Sequence, residues 1–153
     1  MPREFALQPL LEHARHRLEA AERLMRMLKR KEDAATGRLL ELQGYLGEYR
    51  QRLTGSSQGG MDILMFRDFH SFIAKLEHAI RRQEQEVADL HGRWCQAREQ
   101  WFELRRRLKS FEVLEERQRT LWARAESRRE QRQFDELAGR AACAAADVGN
   151  PKS

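Results

Sequence analysis

The feature that most constrains this chain is an apolar stripe that recurs every 3.5 residues and is interrupted once. With position a of a heptad set at Leu11, the a series reads Leu11, Leu18, Met25, Glu32, Leu39, Leu46 and Leu53. The d series reads Ala14, Ala21, Leu28, Ala35, Leu42 and Tyr49, so Glu32 is the single polar seam residue. A second stripe has a at Phe66, Ile73, Ile80, Val87, Trp94, Trp101 and Leu108, and d at Phe69, Leu76, Gln83, Leu90, Ala97, Leu104 and Phe111. Here Gln83 alone is polar. A 3.5-residue period held this long specifies helices wound into a left-handed supercoil. Between the stripes lies Thr54-Gly55-Ser56-Ser57-Gln58-Gly59-Gly60-Met61, a helix breaker. Charged residues make up 35% of the chain, and strong helix formers dominate, which favours long helices over a compact globule.

The fold class expected is all-α: a long antiparallel two-helix coiled coil, or α-hairpin, with an overhanging C-terminal helix. Residues 1–140 form a single domain, with helix one at 9–53, a turn at 54–61 and helix two at 62–140. Pro9 is tolerated in the first helical turn. Residues 141–153, ending Gly149-Asn150-Pro151, read as a disordered tail. A bend centred on the glycine segment sets Leu46 opposite Phe69, Leu42 opposite Ile73 and Leu39 opposite Leu76. The same register puts Ala21 against Trp94, Ala14 against Trp101 and Leu18 against Ala97, so that large residues face small ones. A parallel homodimer would stack Trp94 on Trp94. Glu32 and Gln83 fall in one layer, which is either a partly exposed polar layer or a register lock. Beyond Phe111 helix one offers no further partner. Residues 112–140 overhang, their seam interrupted by Glu115 and Gln118, and either stand alone on local charge pairs or await a partner.

The net charge of +5 and pI near 9.7 suit a solvated arginine-rich surface or an acidic partner. No run approaches the ~18 apolar residues of a membrane span, and Met1-Pro2-Arg3-Glu4-Phe5 lacks a signal-peptide core, so a cytoplasmic location is expected. Cys95 and Cys143 have no metal-site spacing, and His13 and His16 read as solvated helix residues without a third ligand. The glycines of the turn lack the Lys-Ser/Thr of a phosphate-binding loop. No catalytic constellation emerges, so neither an enzyme nor a cofactor is expected. A nucleic-acid binder, suggested by the arginines, is disfavoured by the acidic residues interleaved with them. One edge of the coil stands out near the turn: Tyr45, Met65, Phe72 and Ala79, with Arg38 and Arg52. Tyr45 and Phe72 are expected across from each other. They either thicken the seam or form an aromatic contact patch.

Several short motifs occur in order. The chain opens Phe5-Ala6-Leu7-Gln8-Pro9-Leu10-Leu11. Glu48-Tyr49-Arg50 precedes the turn. Phe72-Ile73, Leu76-Glu77 and Ala79-Ile80 follow it. Leu114, Glu116-Arg117-Gln118, Glu126, Arg128, Gln131, Asp135-Glu136, Ala138 and Arg140 close the series. Over about residues 5–140 this pattern resembles the FliJ family of flagellar type III export. The resemblance implies a stalk-like coiled coil that binds and stimulates the hexameric export ATPase, FliI, contacts the export-gate membrane protein, FlhA, and escorts export chaperones. It also implies a cytoplasmic protein held peripherally at the inner face of the membrane through those partners. The family's gate-binding surface corresponds to Arg38, Leu42, Tyr45, Tyr49, Phe72, Leu76, Ala79 and Gln83. Some relatives carry Gln where Arg38 stands and His where Gln83 stands. The N-terminus and the 112–140 segment are then left for the ATPase ring. A stalk protein of a virulence-type injectisome is the alternative with the same mechanics.

Overall fold

The computed structural model describes residues 4–60 and 62–149, apart from the side chains of residues 57 and 58. It contains two helices, α1 (Gln8–Gln58) and α2 (Ile63–Val148), and no strand among the described residues. The fold is an all-α coiled-coil hairpin. Pro9, which lacks an N–H, sits in the first turn of α1, where no intrahelical donor is needed. The Leu7 carbonyl accepts the Leu11 N–H at 2.9 Å and so begins the helical ladder.

The breaker segment is helical for most of its length. α1 continues through Thr54, Gly55 and Ser56, with the Thr54 hydroxyl donating to the Arg50 carbonyl at 3.0 Å. The chain reverses only after Gln58. The Gly59 N–H donates to the Ser56 carbonyl at 3.1 Å, and Gly60 has φ +83°, a left-handed conformation that closes helices and favours glycine. Asp62 then occupies the N-cap position, its carbonyl accepting the Phe66 N–H at 3.0 Å. The expected turn over 54–61 is therefore corrected to a connection of four residues, 59–62, of which Met61 lies outside the described residues.

That correction moves the pivot of the hairpin by half a heptad and the pairing by a whole one. By Cα proximity the chain forms two compact units, Arg15–Arg105 and Met1–Ala14 with Arg106–Ser153. Within Arg15–Arg105, Glu32 was expected beside Gln83, but its carboxylate meets His91 Nδ1 at 2.9 Å. Trp101 donates its indole N–H to Glu22 at 3.3 Å, and the Lys29 ammonium lies 5.3 Å from the Trp94 ring centroid. Each of these pairs is about one heptad farther along α2 than the expected register. Trp94 is thus not the partner of Ala21, and the Glu32–Gln83 layer does not exist. Gln83 instead donates its side-chain amide to the Ala35 carbonyl at 3.0 Å. A slide of seven residues returns every a position to a d position, so the stripes accept both registers. The turn selects one of them.

The stripes themselves lie where the periodicity puts them. In Arg15–Arg105, Leu28, Ala35, Ile73, Leu76, Ile80, Ala97 and Leu104 are buried, and the remaining a and d residues are half-buried. Phe66 is the exception, at 40% exposed. In the other unit, Leu11, Ala14 and Leu108 are buried. The shielded stripe does not stop at Phe111. It continues at helical spacing through Glu115, Gln118, Trp122 and Ala125, all half-buried. The Glu115 carboxylate is held by Arg119 one turn on, and Phe5 and Leu7 of the lead-in are half-buried in the same unit. Every described residue from Glu126 onward is exposed. The overhang expected to begin at residue 112 begins after Ala125. Residues 141–148, expected to be disordered, continue α2, and residues 150–153 lie outside the described residues.

The register has a direct consequence for crosslinking. With the native cysteines replaced by serine, Glu32→Cys/His91→Cys should be joined within one chain by a short thiol-reactive linker. Glu32→Cys/Gln83→Cys should not, because about eight residues displace the second pair by ~12 Å along the axis. Efficient linking of only the second pair would restore the expected register.

Candidate functional site

The residues singled out on one edge all fall within Arg15–Arg105, and the geometry brings them together. Arg38, Leu42, Tyr45 and Tyr49 recur at three- and four-residue spacing on α1 and share a face. Phe72, Leu76, Ala79 and Gln83 do the same on α2. The slide of one heptad preserves the edge, because each residue keeps its heptad letter. It also brings the two sets level. Tyr49 stacks obliquely on Phe72, ring centroids 4.6 Å apart, at the turn-proximal end, and Gln83 reaches the Ala35 carbonyl at the other. In the register expected from sequence the two sets would have been offset along the axis.

Individual side chains take different parts. Leu76 is buried in the seam, and Leu42, Tyr49, Ala79 and Gln83 are half-buried beside it. Arg38 is exposed, Tyr45 is 52% exposed and Phe72 is 44% exposed. Phe72 packs against Tyr49, so the expected Tyr45–Phe72 pair is replaced by Tyr49–Phe72. Two residues outside the set of eight join the cluster, and the heptad reading had already placed one of them, Arg52, on this edge. Phe69 lies 6.2 Å from Tyr49 between ring centroids, and the Arg52 guanidinium is 5.6 Å from the Tyr49 ring. The sequence held a signal for both: Phe69 is a d residue one turn before Phe72, and Arg52 follows Tyr49 by three. Rings in tilted contact under a guanidinium gain about 0.5–1.5 kcal/mol beyond their buried area. These contacts favour one arrangement of the cluster, while Phe72 and Tyr45 still face solvent.

Below this edge, Arg50 and Glu77 join the helices with a 2.8 Å ion pair, both side chains partly exposed. Pairs of this kind contribute roughly 0–1 kcal/mol. Past the turn, Ile63, Leu64 and Met65 are 75%, 66% and 57% exposed, a run of apolar side chains that the heptad reading marked only at Met65. Among the described residues, no group of three or more His, Cys, Asp or Glu could hold a metal ion, and no helix is long and apolar enough to cross a membrane.

The unit of Met1–Ala14 with Arg106–Ser153 presents a different surface. An open groove there is lined by Phe5, Pro9 and Glu12 from the chain start and by Trp122, Glu126 and Arg129 from α2. Farther along α2, Phe134 and Leu137 are 68% and 64% exposed.

A family model described as "Flagellar FliJ protein" matches residues 3–146. The flagellar FliJ protein of Escherichia coli (strain K12) is 33% identical over 141 residues, covering 90% of this chain and 93% of the relative. The flagellar FliJ protein of Salmonella typhi is 30% identical over 142 residues, covering 93% of this chain and 97% of the relative. No solved structure matches the chain.

The aromatic cluster predicts a graded stability response. Tyr49→Ala, which removes contacts to Phe69 and Phe72, should lower unfolding free energy in urea by about 2 kcal/mol. Tyr45→Ala, an exposed change, should cost less than about 0.5 kcal/mol. Equal losses would mean that Tyr45 is part of the packed seam.

Proposed function

The chain belongs to the FliJ family of flagellar proteins, and on that premise we propose that it is the non-enzymatic coiled-coil component linking an export ATPase to the export gate. It is a component of flagellar protein export. In the proposed role it binds and stimulates the hexameric export ATPase, contacts the export-gate membrane protein and escorts export chaperones. It is held at the inner face of the membrane through those partners rather than by a span of its own.

The observation that carries this reading is the edge described above: exposed Tyr45 and Phe72 flank a Tyr49 fixed from both helices. Packed aromatic side chains that stay solvent-accessible have less side-chain entropy left to lose, and aromatic residues supply many of the anchors of protein interfaces. Arg38, Tyr45 and Phe72 are the direct contacts to the gate. Leu42, Tyr49, Leu76, Ala79 and Gln83, which are buried or half-buried, hold them in place.

The ATPase is assigned to the other unit. Described α2 residues after Ala125 are exposed on every side, and a solitary helix gains little from propensity alone. Phe134 and Leu137 stand three apart on one face and gain burial only from a partner. A stiff helix seated in a ring biases its subunits by binding some ring states more tightly than others, which requires no chemistry from the helix itself.

Two double variants separate the surfaces. Tyr45→Ala/Phe72→Ala should weaken capture of the gate protein about tenfold or more while leaving ATPase stimulation intact. Phe134→Ala/Leu137→Ala should reduce stimulation and spare gate capture. A crossed result, in which each variant affects the other partner, would overturn the assignment of surfaces.

A further inference from the structure

One side-chain cluster runs from the seam to the flank of the coil and lies outside the proposed partner surface. It joins the two helices within Arg15–Arg105. The Glu32 side chain is only 12% exposed, and its Oε1 lies 2.9 Å from His91 Nδ1. His91 Nε2 lies 3.6 Å from Cys95 Sγ, one helical turn farther along α2. The imidazole stacks on Trp94, ring centroids 5.9 Å apart at an interplanar angle of 27°. An ionised carboxylate only accepts hydrogen bonds, so Nδ1 must carry the proton and donate it to Glu32. In the neutral ring that leaves Nε2 as an acceptor aimed at the Cys95 thiol, which donates to it.

We infer that Glu32, His91 and Cys95 form a proton relay that makes Cys95 a site of thiol modification by low-molecular-weight disulfides. A nucleophile, a base within hydrogen-bond reach and a third group fixing the base's tautomer are what activation of a weak nucleophile requires. His91 takes the thiol proton, and Glu32 stabilises the resulting imidazolium. The Cys95 thiolate attacks one sulfur of the disulfide. A Cys95–sulfur bond forms as the reagent's sulfur–sulfur bond breaks. The departing thiolate takes the proton back from His91 and leaves as a free thiol, so the exchange needs no outside oxidant.

Other charges face the relay. The Lys29 ammonium is 3.8 Å from Glu32 Oε2 and 3.7 Å from Asp33. On α2, Arg98 and Glu99 stand three and four residues beyond Cys95. Glu32 Oε2 is buried and has no hydrogen-bond partner, Lys29 being beyond that range. Neutralising the carboxylate with Gln keeps an oxygen that can accept from Nδ1 but removes the charge that stabilises the imidazolium, without introducing a clash of size. Cys95 is half-buried and His91 exposed, so a small reagent reaches the sulfur from the flank of the coil.

The chain carries its own reference thiol. Cys143 is exposed and makes no hydrogen bond among the described residues. An ordinary thiol is only a few per cent thiolate at neutral pH, which leaves room for a gain of roughly tenfold. The intact chain is incubated with oxidised glutathione at pH 7, and mixed-disulfide formation is followed at each cysteine by mass spectrometry. Cys95 should react about tenfold faster than Cys143 despite its lower exposure. His91→Gln, an exposed change, should bring Cys95 to or below the Cys143 rate, as should Glu32→Gln, with Cys143 unchanged in both. Circular dichroism checks that the variants keep their helical content. A wild-type Cys95 no faster than Cys143, or a rate ratio unaffected by His91→Gln in a folded protein, would overturn the inference.

Discussion

Everything in this molecule depends on the seam between α1 and α2 and on the short turn that decides how the two stripes meet. Each helix alone buries nothing. Together they remove a narrow line of leucine, isoleucine, alanine and aromatic side chains from water, which is the dominant favourable term for a chain with so little interior. The heptad repeat dictates which residues enter that line, but it repeats every seven residues and so leaves the axial alignment open. Gly59 and Gly60, by ending α1 late and reversing the chain within four residues, set the alignment. Polar groups then match it from the flanks: Glu22 with Trp101, Glu32 with His91, Arg50 with Glu77.

This division of labour explains what could be read from the amino-acid order. Every a and d residue of α1 from Leu11 to Leu53 is shielded, as is every one of α2 from Phe69 to Phe111, because burial on a helix follows periodicity alone. The register was not legible, because Thr54, Gly55 and Ser56 have poor helix propensity and read as a loop. Propensity costs of this size are outweighed once the helix is held by its seam, and these three residues extend it while remaining exposed. The continuation of the stripe through Glu115 and Gln118 was missed for a related reason. A polar residue at a seam position looks like an interruption, whereas Glu115 stays half-buried with its carboxylate held by Arg119.

The candidate partner edge fared differently from the register on which its expected pairing rested. Its eight residues share heptad letters that survive a slide of seven, so the edge was legible even though Tyr45 had been given the wrong neighbour. The corrected alignment changes the geometry on which the proposed partner role rests. It sets Arg38–Tyr49 and Phe72–Gln83 at one level, where a single partner segment can touch both helices. The Tyr49–Phe69–Phe72 contacts favour one arrangement of these rings before any partner arrives, so less freedom is lost on binding. The relay at Glu32, His91 and Cys95 was beyond reach of the sequence, since its parts come together only in the alignment that the turn imposes.

Nuclear Overhauser contacts from the two seam tryptophans in solution test this alignment most directly. The account predicts contacts from the Trp94 ring to Lys29 and from the Trp101 indole to Glu22, with none between Trp94 and Ala21. A clear Trp94–Ala21 contact, with the Trp94–Lys29 and Trp101–Glu22 contacts absent, would contradict it.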